Sequence, residues 1–283
     1  MVIFPNCKIN LGLRILRKRY DGFHDLETVF YPIMIRDVLE IIENHDRKAD
    51  EKWLVDLENV RFNQTGILVN GKPSDNLTIK AYYLLKKDFP QLQAIQMHLH
   101  KSIPIGAGLG GGSADGAFAL RLLNEKFHLG LTTDQLIVYA AELGSDCPFF
   151  IINEPCLATG RGDLLKPLSL DLSRFSWLIL SPGIHINTSW AFSTISLSMP
   201  ALPLSEIIRQ PVENWKNELI NDFEIPVFNQ YPEIRKIKEK LYDHGALYAA
   251  MTGSGSSVFA LFPKNEIPEN VFPEKDYKIH RIL

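Results

Sequence analysis

Five glycines fall within seven positions, Gly106 to Gly112, in the stretch PIGAGLGGGSADGA (104–117), between an alternating apolar run and a helix-like one. Glycine weakens an ordered element by about 0.5–1 kcal/mol relative to alanine. Such a density marks a backbone that something must approach closely. Backbone N–H groups at the start of a helix attract anions, and glycines let a phosphate reach them without meeting a Cβ. Ser113 follows as an N-cap and as a hydroxyl donor. The stretch predicts a phosphate cradle between strand and helix; the alternative is a tightly packed or flexible turn. A Walker A loop is excluded, because no lysine follows the glycines. Gly106, Gly108 and Gly111 fit G-x-G-x-x-G, but the run before them, IQMHLH, alternates. The helix after them leads to a second helix, QLIVYAAELG, and not to a buried parallel strand, which argues against a dinucleotide fold. The HRD and DFG partners of a protein-kinase loop are missing.

The chain has 283 residues and a formal net charge of −3. That charge gives no sign of a nucleic-acid or membrane footprint, so an anionic ligand must be held by local groups. Cys7, Cys147 and Cys156 are too widely spaced for a disulfide framework or a metal motif, which fits a reducing cytoplasm. There is no apolar run long enough to span a membrane, and the first residues lack the pattern of a signal peptide.

Along residues 2–16, Ile3, Pro5, Cys7, Ile9, Leu11 and Leu13 alternate with Asn6, Lys8, Asn10, Gly12 and Arg14, which predicts a half-buried strand. RDVLEII and WLVDLENVRF read as strands with the polar loop ENHDRKADEK between them. DNLTIKAYYLLKKDFP reads as a helix ended by Pro90, and AIQMHLHK as an antiparallel strand. SADGAFALRLLNEKFH reads as a helix. TTDQLIVYAAELG opens on a capping box from Thr132 to Gln135. After SDCPFFI come a strand in FSWLILSPG, a proline-rich stretch near 200–211, a helix in PEIRKIKEKLYDHG and a strand in SSVFALFP, which suggests a second α+β domain. Lys8, on a polar strand face, and Asp146, in a turn, have bland readings as a solvated lysine and an Asx-type aspartate. They are far apart in sequence, so spacing cannot bring them together.

Taken together, the motifs resemble those of the GHMP kinases, whose phosphate loop runs P-x-x-x-G-L-G-G-G-S-[SA]-[ND]-A. Three more stretches match in the family order: PNCKINLGLRILRKRYDGFHDLETVF, LGSDCPFF and MTGSGSSVFALF, so the matches span residues 5 to 262. The D-G-[YF]-H element after K-x-N is similar to that of the branch acting on 4-diphosphocytidyl-2-C-methyl-D-erythritol, and separates the chain from homoserine and mevalonate kinases. Gly116 departs from the family's usual alanine; it loosens the first helical turn but spares the loop.

The resemblance implies an α+β, two-domain GHMP kinase fold. Residues 1–155 would form a domain like domain 2 of ribosomal protein S5 and 156–283 a ferredoxin-like domain, with the active site in the cleft between them. It implies transfer of the γ-phosphate of ATP, with Mg2+ carried on it, to the 2-hydroxyl of the cytidylyl alcohol, a step of non-mevalonate isoprenoid biosynthesis in a bacterial cytoplasm. Lys8 and Asp146 take the catalytic positions. Pro104, Gly106, Gly108, Leu109, Gly110, Gly111, Gly112, Ser113 and Ala114, with Lys101 and Asn76 near the adenine, take those of the ATP site. Asn10, Phe23, His24, Thr188 and Phe192 take those of the substrate site, with Phe23 and Phe192 stacking on cytosine and His24 reading its edge. Gly253, Ser254 and Gly255 form the third glycine motif, expected to pack behind the loop. No metal ligands are named, and a homodimer is an open option. The alternatives are a GHMP kinase for another small alcohol such as homoserine, and a non-catalytic nucleotide-binding protein of the same fold; intact Lys8 and Asp146 argue against the latter.

Overall fold

The computed structural model describes residues 1–44, 53–69, 72–195, 197, 202–269 and 271–283. Most of the expected polar loop at 43–52 and part of the proline-rich stretch near 200–211 lie outside these described residues. The chain forms two compact units, neither of them contiguous in sequence. The first comprises Met1–Cys7, Met34–Ile105 and Gly110–Asn153; the second comprises Lys8–Ile33, Gly106–Leu109 and Glu154–Leu283. The expected division at 155/156 lies beside the crossing after Asn153, but the segments 8–33 and 106–109 group with the C-terminal half. Strand pairing, not sequence proximity, decides membership.

In the first unit a five-stranded sheet runs in the order β1 (Val2–Ile3), β4 (Val38–Glu43), β7 (Ile95–Lys101), β6 (Val60–Gly66), β5 (Val55–Asp56). Strand β7, expected to pair antiparallel, does so with β4 but lies parallel to β6. The reason is the connection: α1 (Leu77–Asp88) lies between β6 and β7, and parallel neighbours need such a crossover. Leu39, Ile41, Phe62, Met97 and Leu99 are fully buried on one sheet face. Helix α2 (Gly111–Lys126) packs with α1, α3 (Thr133–Leu143) and α4 (Cys147–Ile152). The Thr132–Gln135 capping box is present in both halves. Gly116 has a packing reason: a Cβ there would stand 2.8 Å from the Leu77 Cβ, so its absence lets α1 seat against α2.

The second unit holds a sheet that runs β2 (Asn6–Lys18), β3 (His24–Arg36), β8 (Cys156–Thr159), β9 (Leu164–Pro167), except for the strand ends Asn6–Cys7 and Met34–Arg36, which group with the first unit. A second, antiparallel sheet runs β11 (Tyr248–Met251), β12 (Val258–Pro263), β10 (Phe175–Ser181), β13 (Lys278–Ile282). Read from β13, this is the order of a ferredoxin-like sheet. Helices α5 (Thr188–Ser193), α6 (Leu204–Ile207), α7 (Glu224–Gln230) and α8 (Pro232–Asp243) lie between β10 and β11 in the chain. Leu13 and Ile15 of β2 share a core with Leu178, Val258, Ile234 and Leu241.

Two strand expectations change. Strand β2 is not half-buried: every residue from Asn6 to Ile15 is buried. Its polar face is covered because its side chains bond inward, as described below. Strand β3 was not among the expected elements. Its ladder to β8 covers only Thr28 to Phe30, so Pro32 owes no hydrogen bond to that neighbour.

Beneath the start of α2 the first unit buries three charges. Lys101 Nζ pairs with Asp37, and with Asp115 Oδ2 at 2.7 Å. All three are nearly inaccessible. Asp37 Oδ1 also accepts the N–H groups of Ser102 (2.6 Å) and Ile103 (2.9 Å), which ties down the chain entering the glycine loop. Two carboxylates face one lysine. Burial raises the Asp115 carboxyl to about 8, and Lys101 only partly opposes this. For Lys101, burial acts downward, but the two carboxylates outweigh it and hold its ammonium raised. Lys101→Met would strand the buried Asp37 carboxylate, and breaking such a pair costs about 3–5 kcal/mol; urea unfolding at pH 7 should show a loss of that size. Asp115 keeps in the folded state a proton that the unfolded chain releases near pH 4. Stability therefore falls as pH rises from there through about 8, and Asp115→Asn should flatten that slope in melts across pH 5–8.

Candidate active site

The glycine loop owes its shape to backbone angles that side chains resist. Gly106, Gly108 and Gly110 have φ of 64°, 79° and 69°. At Gly108 a Cβ would stand 2.0 Å from the Thr252 carbonyl oxygen, so no other residue fits. Pro104, Leu109, Gly111 and Ala114 are buried, whereas Gly106 and Gly112 are exposed and a Cβ on Gly112 would meet nothing within 4 Å. The helix begins at Gly111, capped by the left-handed Gly110, two residues before the expected cap Ser113. The first N–H to find its helical acceptor is that of Ala114, which donates to the Gly110 carbonyl at 2.9 Å. The N–H groups of Gly111, Gly112 and Ser113 thus stand at the positive end of a 16-residue helix, open on the Gly112 side. Such a row of unpaired N–H groups has the chemistry to hold an anion with backbone alone. Ser113 is half-buried and hydrogen-bonds Cys147, whose thiol burial pushes up to about 12, well away from nucleophilic character.

Lys8 and Asn10 share the polar face of β2 in the second unit. The Lys8 N–H donates to the Leu109 carbonyl at 3.0 Å, tethering the lysine to the loop. Its Nζ, buried, donates to Asn10 Oδ1 at 2.7 Å and lies 4.8 Å from the centre of the Phe30 ring. Asn10 works inward with its whole amide. Its Oδ1 also accepts from the Gly253 N–H (3.0 Å) and the Thr252 hydroxyl (3.2 Å), and its Nδ2 donates to Thr28 Oγ1 (3.0 Å). Its own N–H donates to Thr252 Oγ1 at 3.0 Å. The third glycine motif lies against the loop, since a Cβ on Gly253 would stand 3.1 Å from Gly108 Cα. Gly255 has φ of 96°, and Ser254 Oγ lies 3.2 Å from Thr188 Oγ1 on α5.

Asp146, in the first unit, is half-buried immediately before α4, and its carboxylate does not cap that helix. Asn76 caps α1 by accepting from the Thr78 N–H at 2.9 Å and the Thr78 hydroxyl at 2.8 Å. The Lys101 ammonium is committed to its two carboxylates. Around the expected base site, Phe23 is exposed, with the Arg161 guanidinium 4.9 Å from its ring centre. His24 stacks on Phe192 at 4.8 Å and 19°, and Phe192 meets Phe223 edge-on at 4.9 Å. Burial, then Lys18, lowers the His24 pKa, so its imidazole is neutral at pH 7.

Sequence reasoning passed over Thr252, Thr28, Asn221 and Asp37. Asn221 holds the third motif by donating to the carbonyls of Met251 (2.8 Å) and Gly253 (2.9 Å). Thr252 adjoins that motif and could have been taken with it. Thr28 and Asn221 carry no local signal, because their partners come from distant strands. Among the described residues no group of three or more His, Cys, Asp or Glu could hold a metal ion, and no helix is long and apolar enough to cross a membrane.

The left-handed backbone at Gly108 would cost alanine about 1–2 kcal/mol before its Cβ meets Thr252. Gly108→Ala should therefore lower the melting temperature and weaken ATP binding by about tenfold or more in calorimetry. Gly112→Ala, the better helix former at a position with open space, should not lower the melting temperature and should weaken ATP binding only.

Residues 76–154 match the GHMP kinases N terminal domain and residues 204–273 the GHMP kinases C terminal domain. The chain is 50% identical over 277 residues to a 4-diphosphocytidyl-2-C-methyl-D-erythritol kinase of Bacteroides thetaiotaomicron, covering 98% of this chain and 96% of that one. To the enzyme of the same name from Azobacteroides pseudotrichonymphae it is 47% identical over the whole of both chains. A crystal structure of 4-(cytidine 5'-diphospho)-2C-methyl-D-erythritol kinase superposes with a TM-score of 0.77 at 28% identity, covering 92% of this chain and 90% of that one. A mevalonate kinase shares the fold, with a TM-score of 0.70 at 12% identity over 99% and 98% of the two chains.

Proposed function

The chain belongs to the GHMP kinase family, together with its 4-diphosphocytidyl-2-C-methyl-D-erythritol kinases, and on that premise we propose how its residues divide the work. The reaction is transfer of the γ-phosphate of ATP to the 2-hydroxyl of 4-diphosphocytidyl-2-C-methyl-D-erythritol, a step of isoprenoid biosynthesis carried out in a bacterial cytoplasm. The observation that carries this assignment is the tether of Lys8 to Leu109, which fixes a buried ammonium at the loop leading into the anion cradle.

Phosphoryl transfer asks a protein mainly for positioning and charge stabilisation. The N–H groups of Gly111, Gly112 and Ser113 hold phosphate oxygens. The Lys8 ammonium, aimed by Asn10, stabilises charge on the transferred group. Asp146 accepts the proton of the 2-hydroxyl as its oxygen bonds to phosphorus, while ADP leaves. Mg2+ would be carried in on the ATP phosphates and would neutralise phosphate charge there. Asn10, by its inward bonding, positions Lys8 and the third glycine motif instead of touching substrate. Lys101 and Asn76 support the ATP site through the elements they anchor. Phe23, His24, Thr188 and Phe192 hold the cytidylyl end, whose binding energy positions the distant hydroxyl. For a base to stack on the face that His24 covers, the imidazole must turn aside, from stacking to edge contact.

ADP release should depend on the cytidylyl alcohol and should not appear with homoserine. The reverse pattern would assign the chain to a different alcohol, and release with neither would leave a nucleotide-binding protein. Asp146→Asn should lower kcat by about 10²–10⁴-fold, the usual worth of a general base, with ATP affinity nearly unchanged. Phe192→Ala should raise KM for the cytidylyl substrate by about 5- to 150-fold, from about 1–3 kcal/mol of stacking, and leave KM for ATP alone. A packing role alone predicts the opposite signature, a lower melting temperature at unchanged KM.

A further inference from the structure

Strand β7 carries a feature that phosphoryl transfer leaves unused. In MHLHK, period-two alternation sends Met97 and Leu99 into the core and leaves His98 and His100 together on the exposed face of the first unit's sheet. The neighbouring strands complete that face. On β6, Asn63 is the register partner of His98 and Thr65 that of His100; on β4, Glu40 is opposite His98. The two rings converge. His98 Nε2 lies 3.0 Å and His100 Nδ1 2.9 Å from one atom, Thr65 Oγ1.

We propose that His98 and His100, with Thr65 between them, form a surface site for a borderline divalent transition ion of the Cu2+ and Zn2+ class. A hydroxyl has one proton, so Thr65 donates to one ring nitrogen and accepts from the other. One nitrogen already turns its lone pair inward, and the other does so by moving its proton to the far side of an exposed ring. An ion bound about 2.0–2.1 Å from each nitrogen then takes over the bridging position of the hydroxyl proton. Two imidazoles from one rigid strand form the chelate. Water completes the coordination shell on that exposed face. This donor set selects its metal: imidazole suits Cu2+, Ni2+ and Zn2+, whereas Mg2+ prefers an all-oxygen shell. The site is therefore chemically separate from the Mg2+ that accompanies ATP.

The test uses the full, untagged chain. Calorimetric titration with ZnCl2 and with CuCl2 should show one site per chain, and the same titration with MgCl2 should show none. Zn2+, and not Mg2+, should raise the melting temperature. His98→Asn or His100→Asn should weaken Zn2+ binding by about 10²-fold or more, because each removes one arm of a chelate. Both side chains are exposed, so an unchanged melting temperature without metal verifies the fold. Cu2+ should also broaden amide NMR signals selectively around Thr65, His98, His100 and Glu40. Unchanged Zn2+ affinity in the double variant, broadening centred elsewhere, or no binding by the native chain would overturn the proposal.

Discussion

A single side-chain amide holds together the parts on which any chemistry here depends. Asn10 takes three donors on its oxygen, from Lys8, Thr252 and Gly253, and gives a proton from its nitrogen to Thr28. Those partners come from β2, β3 and the turn after β11, as much as 243 residues from Asn10. Aspartate would keep the acceptors but lose the donor to Thr28; leucine would take an acceptor away from a buried ammonium and from a buried N–H, each a costly loss. Because Thr252 and Gly253 in turn leave room for nothing but hydrogen at Gly108, the course of the glycine loop is set by a residue that precedes it by nearly a hundred positions.

At the start of α2 itself, side-chain charge plays little part in the proposed anion site, although Lys8 is tethered to the loop before it. The chain as a whole is slightly negative, and the one lysine buried under the start of α2 is neutralised by two carboxylates. Lys101 Nζ would lie only 3.3 Å from a Cβ on Gly111, yet its charge is spent on Asp37 and Asp115. What remains to attract phosphate is the row of peptide N–H groups and the helix dipole, fixed in direction and needing no reorganisation when an anion arrives. The triad serves as a rigid floor and Asp37 as its anchor to the incoming chain.

Much of this was legible in the sequence where it rests on local rules. The glycine run, the capping box and the extents of α1 and α2 follow from residues within a few positions of one another. Elements whose partners are remote were not. The polar face of β2 reads as solvated until Thr252, Gly253 and Thr28 are brought to it. Strand β3, with Pro32 in it, was not among the expected elements, and its ladder to β8 covers only Thr28–Phe30. The parallel neighbour of β7 is invisible in its own alternation, which antiparallel strands share. At the candidate site, motif order could name Lys8, Asp146 and the loop. It could not tell that Asn10, Asn76 and the Lys101 side chain would turn inward, since a motif records residue identity and not the direction of its bonds.

The repeated passage of the chain between its two units also bears on how such a protein can be cut, fused or rearranged. A gene fragment ending at Asn153 would carry β2 and β3 without β8 and β9, their companions in the sheet. The complementary fragment would keep the ferredoxin-like sheet but lose Leu13 and Ile15 from its core. Neither half is a transferable module. Recombination within such a lineage would have to exchange the strands near the N-terminus together with the distant C-terminal half, or leave both untouched. The interleaved path thus makes the protein inherit as one block, although it packs as two.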